Sequence, residues 1–222
     1  MLKIRRYLEH TLLSPTLTDQ EINLLIDQAK KYRFMGVCVP PFWVKKVKRE
    51  LQDEDIQVVT VVGFPLGWQM TETKVFETER AIKDGADEID VVWSLTAFKS
   101  GMGWPKIELA KLSNICHEQG RILKVIIETA YLDKNEIIQA CKIASDAGVD
   151  FVKTSTGMAG SGAKVGDIQL MREILPSNVG IKASGGIKTL SQARSLIEAG
   201  ADRIGTSAGV DIVLEWDRDM LV

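Results

Sequence analysis

Residues 84–92 read Asp-Gly-Ala-Asp-Glu-Ile-Asp-Val-Val, a glycine-containing turn followed by a short run rich in β-branched residues. The glycine suits the left-handed backbone conformation that occurs just past the end of a helix, and Ile and Val are enriched in strands. Related turns, Ala-Gly-Val-Asp and Ala-Gly-Ala-Asp, occur at residues 147–150 and 199–202. The repeat therefore predicts the same junction three times, each between the end of a helix and the start of a strand.

The junction belongs to a pattern that extends over the chain, in which short β-branched runs alternate with segments of helical periodicity. Eight strands are predicted, at residues 7–12, 35–39, 57–64, 88–93, 122–128, 151–154, 179–183 and 203–205. Helices are predicted between most of them, for example at residues 19–31, 71–84, 107–118, 134–146 and 190–198. Strands that alternate with helices in this way form βαβ units and a parallel sheet.

The number of units selects the architecture. Eight units in 222 residues leave about 28 residues per unit, which is compact but sufficient for an eight-stranded parallel barrel. We therefore predict an α/β fold, a (β/α)8 TIM barrel. A doubly wound open sheet is the alternative, and the strand count and the lack of a glycine-rich turn after the first predicted strand disfavour it. Because no low-complexity or linker-like stretch divides the chain, residues 1–222 are predicted to form one domain.

The composition is that of an ordinary globular protein. The chain has 28 Lys and Arg residues against 30 Asp and Glu residues, and 45% of its residues are hydrophobic, which excludes a disordered chain. The net charge of −2 and a pI of about 5.8 argue against nucleic-acid binding. No apolar run reaches the roughly 18 residues of a membrane span, and the N-terminal residues do not resemble a signal peptide. The three cysteines lack CxxC spacing, which predicts reduced thiols in a cytoplasmic protein and no metal cluster.

Three lysines lie inside apolar predicted strands, where charged side chains are unusual: Lys124, Lys153 and Lys182. Burial of an unpaired ammonium group is costly and favours either a neutral amine or a charged partner. A neutral lysine is a nucleophile that forms Schiff bases with carbonyl compounds. Asp90, also in an apolar strand, is a carboxylate that could pair with these lysines or transfer protons beside them. A group of purely structural ion pairs is the alternative interpretation.

Glycine and hydroxyl residues dominate the loops after the last three predicted strands, at residues 154–162, 184–187 and 205–209. Exposed backbone N–H groups, hydroxyl groups and helix N-termini together form anion sites. In parallel barrels the usual phosphate position is the pair of loops after strands 7 and 8. The three loops therefore predict a phosphate-binding site, although glycine is also common in ordinary turns.

Eight motifs, spread in order from about residue 8 to residue 210, resemble those of the deoxyribose-phosphate aldolase family. They are HTLL at 10–13, VCV at 37–39, VGFPLG at 62–67, GADEIDVV at 85–92, VIIET at 125–129, FVKTSTG at 151–157, VGIKASGGI at 179–187 and RIGTSAG at 203–209. The resemblance implies a class I aldolase on a TIM barrel that needs no metal or other cofactor. It would reversibly cleave 2-deoxy-D-ribose 5-phosphate to acetaldehyde and D-glyceraldehyde 3-phosphate.

The resemblance also implies roles for individual residues. Lys153 matches the Schiff-base lysine, Lys182 matches the second lysine whose charge keeps the first partly neutral, and Asp90 matches the acid/base aspartate. The candidate substrate- and phosphate-binding residues are Gly157, Gly185, Gly186, Gly205, Ser207, Thr156, Cys38 and Lys124. The implied partner is a small phosphosugar, with neither nucleic acid nor membrane, and a homodimer or homotetramer is possible.

Several positions depart from the family's pattern. They are Glu9 in place of Asp, Pro40 in place of Asn, Trp93-Ser94 in place of Ile-Asn, and Met158 in place of a lysine that some members carry. None of them alters the pair of lysines or Asp90. Two alternatives stay open from the sequence: a different Schiff-base aldolase that uses a ketone donor, and a phosphosugar-binding barrel without catalytic activity.

Overall fold

The computed structural model describes residues 4–220, in which eight parallel strands close into a barrel with strand order β1 to β8. The strands are β1 (Leu8–Thr11), β2 (Gly36–Val39), β3 (Gln57–Val62), β4 (Glu88–Val92), β5 (Ile122–Ile126), β6 (Phe151–Lys153), β7 (Gly180–Ser184) and β8 (Arg203–Thr206). Each strand pairs with the next in the chain, and β8 pairs with β1. The predicted (β/α)8 TIM barrel is confirmed.

Helices surround the barrel. They are α1 (Asp19–Tyr32), α2 (Val44–Glu50), α3 (Thr71–Asp84), α4 (Leu95–Lys99), α5 (Trp104–Glu118), α6 (Lys134–Asp146), α7 (Val165–Ile174), α8 (Leu190–Glu198) and α9 (Gly209–Asp219). Short 3-10 turns occur at Ile4–Tyr7, Pro41–Trp43 and Thr129–Tyr131. Among residues 4–220, no helix is both long enough and apolar enough to cross a membrane.

Five predicted strands end earlier than the apolar pattern suggests, three of them by one residue and two of them, β3 and β5, by two residues. β3 ends at Val62 because Gly63 adopts a left-handed conformation with φ +62°. β5 ends at Ile126, and Glu128, predicted as its last residue, has φ +54°. A left-handed residue cannot continue a strand, so the predicted ranges 57–64 and 122–128 extend two residues too far.

The three repeated turns have the structural role that the sequence predicts. Their glycines all adopt positive φ values between a helix and a strand. The aspartate that follows each glycine by two residues also ties adjacent strands together. Asp87, Asp150 and Asp202 accept hydrogen bonds from backbone N–H groups near the start of β3, β5 and β7, at 3.0, 2.8 and 2.9 Å. The repeat therefore fixes the amino-terminal edge of the barrel at three places.

The barrel interior is divided into an apolar side and a charged side. Val58 and Val62 of β3 pack in the large core between sheet and helices, so the alternating residues Val59 and Val61 face inward. They form a small apolar cluster with Cys38 of β2. The other side of the interior, from β4 around to β1, carries the charged residues described next.

Candidate active site

The four charged residues predicted from the sequence meet inside the barrel, with Asp90 at their centre. Lys124 Nζ donates to Asp90 Oδ1 at 3.0 Å, while Lys153 and Lys182 donate to Asp90 Oδ2 at 2.8 and 2.6 Å. The strand register explains the convergence, because Lys124 lies opposite Asp90 and Lys153 lies opposite Lys182 on neighbouring strands. All four side chains are buried.

Glu9 of β1 closes the cluster from the opposite side of the barrel. It accepts a hydrogen bond from Lys182, and its other oxygen lies 3.5 Å from Lys124 Nζ. The Nε of Arg203 lies 3.9 Å from the same oxygen. Glu9, which the sequence marks only as a departure from the family's pattern, is thus a fully buried member of the charge cluster.

Lys124 does not reach a surface to which a substrate has access. It is fully buried and lies within ion-pair distance of three carboxylates, those of Glu9, Glu88 and Asp90. Ile126 is the residue of β5 that lies opposite Lys153, and Lys124 comes two residues before it. Lys124 therefore lies further from the carboxyl end of the barrel than Lys153. Glu88 is not singled out by the sequence pattern, although its position two residues before Asp90 places both side chains on one face of β4.

The pKa values of Asp90 and Lys182 reflect the surrounding charges. Burial alone would raise the pKa of Asp90, but attraction to Lys124, Lys153 and Lys182 outweighs it and holds that pKa well below its ordinary value. Burial alone would lower the pKa of Lys182, but Asp90 and Glu9 raise it above its ordinary value. Both groups are therefore charged near neutral pH, and Lys182 is a cation beside Lys153.

The charged groups around Lys153 are equal in number and opposite in sign. Three carboxylates face three cations other than Lys153: Glu9, Glu88 and Asp90 against Lys124, Lys182 and Arg203. A buried group of charges is most favourable when each charge has a partner. These six groups therefore supply each other with partners without a contribution from Lys153.

Above Lys153 lies a cavity of about 330 Å³, which we call the anion arm. Its walls are the β1–α1 loop and the loops that follow β6, β7 and β8. The candidate residues that line it are Lys153, Thr156, Gly157, Gly185, Gly186, Gly205 and Ser207. Cys38 lies outside this lining, in the apolar cluster, where burial raises the pKa of its thiol to about 11.

Backbone groups form much of the anion arm. The loop after β6 crosses the loop after β7 so closely that a Cβ atom on Gly162 would lie 2.0 Å from the carbonyl oxygen of Gly185. The Ser184 hydroxyl donates to the carbonyl of Ser155 at 2.6 Å and joins the two loops. In the part of the chain that the structure describes, the N–H groups of Gly186 and Ser207 have no protein acceptor, so they are available to an anion.

Glu128 supports one wall of the anion arm and is not among the predicted site residues. Its Oε2 atom accepts the backbone N–H of Thr156 at 3.1 Å and also the Thr156 hydroxyl. The Thr156 hydroxyl oxygen in turn accepts the N–H of Met158 at 3.0 Å. Both donors of Thr156 are thus already used within the protein. The signal in the sequence was a carboxylate directly after an apolar run, and this pattern is the same as that of an ordinary strand end.

The departures Trp93 and Ser94 make contacts that hold neighbouring segments in place. The Trp93 indole is buried, donates to the carbonyl of Ile127 at 3.2 Å, and packs against Phe98 with ring centroids 4.6 Å apart. The Ser94 N–H donates to the buried carboxylate of Glu108 at 3.2 Å. Trp93 thereby connects the end of β4 to the residue that precedes Glu128.

Comparison with known proteins identifies the family. The family described as DeoC/LacD family aldolase matches residues 7–215. The chain belongs to this aldolase family. A deoxyribose-phosphate aldolase of Clostridium botulinum (strain Okra / Type B1) is 49% identical over 213 residues, which cover 96% of this chain and 100% of that protein. The resemblance given by the eight motifs is confirmed, and so is the expectation of an aldehyde-lyase.

Solved structures of aldolases have the same fold as this member of the family. A structure named QR15, an aldolase, has a TM-score of 0.94 at 39% identity and covers 100% of this chain and 99% of that one. A deoxyribose phosphate aldolase of Aeropyrum pernix, described as tetrameric, has a TM-score of 0.90 at 30% identity and covers 99% and 92%.

Metal chemistry was not expected of this aldolase. Within residues 4–220, no three His, Cys, Asp or Glu side chains are grouped as a metal site requires. The carboxylates of the charge cluster are bridged by lysines instead. That the reaction needs no metal or other cofactor stays a prediction.

Proposed function

We propose that this chain is a deoxyribose-phosphate aldolase that reversibly cleaves 2-deoxy-D-ribose 5-phosphate into acetaldehyde and D-glyceraldehyde 3-phosphate. The observation that carries the proposal is the position of Lys153, which contacts Asp90 at 2.8 Å and also lines the anion arm. An amine at one end of a cavity and free N–H groups at the other suit an aldehyde with a terminal phosphate. The names of its relatives support this substrate.

In the proposed reaction, the neutral amine of Lys153 attacks the C1 carbonyl of the open-chain sugar. The oxygen leaves as water, and a protonated imine remains on Lys153. Asp90 contacts both Lys153 and Lys182, so a proton on one amine can move to the other or to the substrate through this carboxylate. Lys182 serves as the neighbouring cation, and an assisted proton transfer contributes about 10²–10⁴-fold.

The protonated imine then acts as an electron sink for cleavage. Asp90, which contacts Lys153, accepts the proton of the C3 hydroxyl directly or through water. The C2–C3 bond breaks, its electron pair becomes the C1–C2 double bond of an enamine, and the C=N electron pair returns to the Lys153 nitrogen. D-Glyceraldehyde 3-phosphate leaves from the anion arm. Protonation of C2 and addition of water to the imine then release acetaldehyde and restore the amine.

Reduction with borohydride in the presence of acetaldehyde tests the imine directly. We expect an ethyl group on Lys153, located by mass spectrometry of peptides, because this lysine is the one of the three strand lysines that lines the cavity. Lys124 and Lys182 should stay unmodified. Trapping of a ketone but not of acetaldehyde would favour a different Schiff-base aldolase. Adducts spread over surface lysines, or none, would favour a binding protein without catalytic activity.

Replacement of Glu128 by alanine is expected to raise KM for 2-deoxy-D-ribose 5-phosphate by about 10-fold, because Thr156 loses a charge-assisted hydrogen bond and the loop that carries Gly157 loosens. The KM for unphosphorylated 2-deoxy-D-ribose should change much less, since that sugar does not use the phosphate wall. Glu128→Gln keeps an acceptor for Thr156 and should recover most of the loss. Equal increases for the two sugars would show that Glu128 does not act through this wall.

Three further properties are part of the proposal. Residues 1–222 are one catalytic domain, and the protein is cytoplasmic, which agrees with three free and buried cysteines. It forms a homodimer or homotetramer, which agrees with apolar side chains exposed on α3 and in the loop before it, such as Phe76, Trp68 and Met70. Sedimentation velocity measures the oligomeric state, and a monomer at micromolar concentration would contradict it.

A further inference from the structure

We propose that His10 is a positioning residue for phosphate recognition, and that it holds the N-terminal end of α9 so that the backbone donors between β8 and α9 point into the anion arm. The inference deepens the proposed function and rests on it. His10 takes no part in the charge cluster, because successive side chains of a strand point to opposite faces and Glu9 points into the barrel. The buried ring of His10 therefore faces the surrounding helices.

The ring of His10 is held from two sides. Its Nε2 atom lies 2.8 Å from the Oε1 atom of Gln28 on α1, at hydrogen-bond distance. The carbonyl oxygen of Gln28 can only accept, so Nε2 carries the proton of the neutral ring and Nδ1 is left as an acceptor. Phe34 packs against the ring, with the two ring centroids 5.1 Å apart. These contacts fix both the position of the ring and its tautomer.

The Nδ1 atom of His10 faces the start of α9. A Cβ atom on Gly209, the first residue of that helix, would lie 3.0 Å from Nδ1. Nδ1 is buried and, among residues 4–220, has no hydrogen-bond partner. The side chain of Ala208 provides no N-cap for α9, so the positive end of the helix dipole meets the lone pair of Nδ1. This contact is attractive only while the ring of His10 is neutral.

Burial keeps the ring of His10 neutral. It lowers the pKa of His10 below its ordinary value, although the hydrogen bond to Gln28, the carbonyl of Thr206 and the charge of Asp211 all act in the opposite direction. Near neutral pH the ring therefore carries no charge, and its Nδ1 atom stays an acceptor beside the start of α9.

The start of α9 continues one wall of the anion arm. Thr206 and Ser207 line the arm, and α9 begins two residues after Ser207. Thr206 lies opposite His10 in the pairing of β8 with β1. The Ser207 N–H has no protein acceptor in the described part of the chain. A hydrogen bond weakens steeply when its donor is misaligned, so the position that His10 gives to α9 sets the strength of phosphate binding at Ser207.

Kinetics with two sugars test this role. His10→Leu removes both ring nitrogens and keeps an apolar side chain in their place. It should lower kcat/KM for 2-deoxy-D-ribose 5-phosphate by about fivefold, the effect of one weakened hydrogen bond, and kcat/KM for unphosphorylated 2-deoxy-D-ribose by less than about twofold. Gln28→Leu frees the ring from α1 and should change the ratio of the two values in the same direction.

The matched control is His117→Leu, which replaces the other histidine of the chain. His117 is on α5, where its Nε2 atom lies 3.0 Å from Oδ2 of Asp150, and it does not line the anion arm. Its replacement should leave both kcat/KM values unchanged.

Nuclear magnetic resonance of the wild-type protein tests the same contact without a substitution. The chain has two histidines, so their ring nitrogen signals are assigned by comparison with His117→Leu. Near neutral pH, His10 should show a protonated Nε2 and an unprotonated Nδ1. Saturation with inorganic phosphate should shift the Nδ1 signal of His10 and leave the signals of His117 in place.

The outcomes separate this inference from the proposed function. Equal losses of kcat/KM for the two sugars in His10→Leu would show a general structural role and would overturn the inference. Unshifted His10 signals at phosphate concentrations that inhibit cleavage competitively would also overturn it. Should His10→Leu not fold, Gln28→Leu and the wild-type spectra decide. A wild type that cleaves neither sugar would instead overturn the proposed function.

Discussion

Replacement of Lys153 by leucine is expected to lower kcat for the cleavage of 2-deoxy-D-ribose 5-phosphate by at least about 10⁴-fold, because no imine can form and enzymatic accelerations commonly exceed 10⁶-fold. The variant should fold, since Asp90 keeps its pairs with Lys124 and Lys182. An assay that consumes the released D-glyceraldehyde 3-phosphate measures the loss, and urea unfolding confirms that the barrel is intact.

Lys153→Arg is the matched control for charge. Arginine keeps a cation beside Asp90 but does not form imines, so its activity should be as low as that of the leucine variant. If Lys153→Arg retained more than about a hundredth of wild-type kcat, the reaction would need only a positive charge at this position, and the covalent mechanism would be wrong.

Asp90→Asn is expected to reduce both activity and stability. The carboxylate is the shared partner of three buried lysines, and its removal leaves buried ammonium groups with fewer counterions. Breaking a buried pair in this way typically costs about 3–5 kcal/mol of unfolding free energy. Loss of the proposed proton-transfer group should lower kcat by about 10²–10⁴-fold. Urea unfolding and steady-state kinetics on the same preparation measure the two effects.

Glu88→Gln separates stability from chemistry. Glu88 is buried on the same strand and pairs with Lys124, but in the part of the chain that the structure describes it has no ion pair with Lys153 or Lys182. We expect a loss of unfolding free energy with a kcat reduced less than 10-fold, a value well below the contribution of an assisted proton transfer. A kcat as low as that of Asp90→Asn would contradict the assignment of proton transfer to Asp90.

The sequence predicts the centre of the site better than its boundaries. Lys153, Lys182 and Asp90 are conspicuous because a charged residue between apolar, β-branched neighbours must find a partner across the barrel. Glu88 is also a buried charged residue with a partner across the barrel. It is the first residue of its strand, however, so it does not interrupt an apolar run in the sequence. Glu128 lies where a strand turns into a loop, and its left-handed conformation is not visible in the residue type.

The fold was predictable because its signals repeat. Three glycine turns mark three helix-to-strand junctions, and the alternation of elements specifies a parallel barrel. The residue pattern does not predict that the aspartate of each turn accepts a hydrogen bond from the neighbouring strand, because that contact joins segments 21 to 29 residues apart. The hydrogen bond from the Thr156 N–H to Glu128 also joins distant segments, and the periodicity of the sequence does not predict it.

The crossing of the two loops at Gly162 and Gly185 makes one end of the site depend on the absence of a methyl group rather than on any functional group. Random mutation can exchange a side chain such as Ser207 and leave the backbone donors in place. A single-base change from glycine to alanine at residue 162 instead forces the loops apart. Selection for phosphate recognition should therefore tolerate variety in the side chains of this wall and reject almost every change at Gly162. A mutant library aimed at new substrates gains most when it leaves these two glycines untouched.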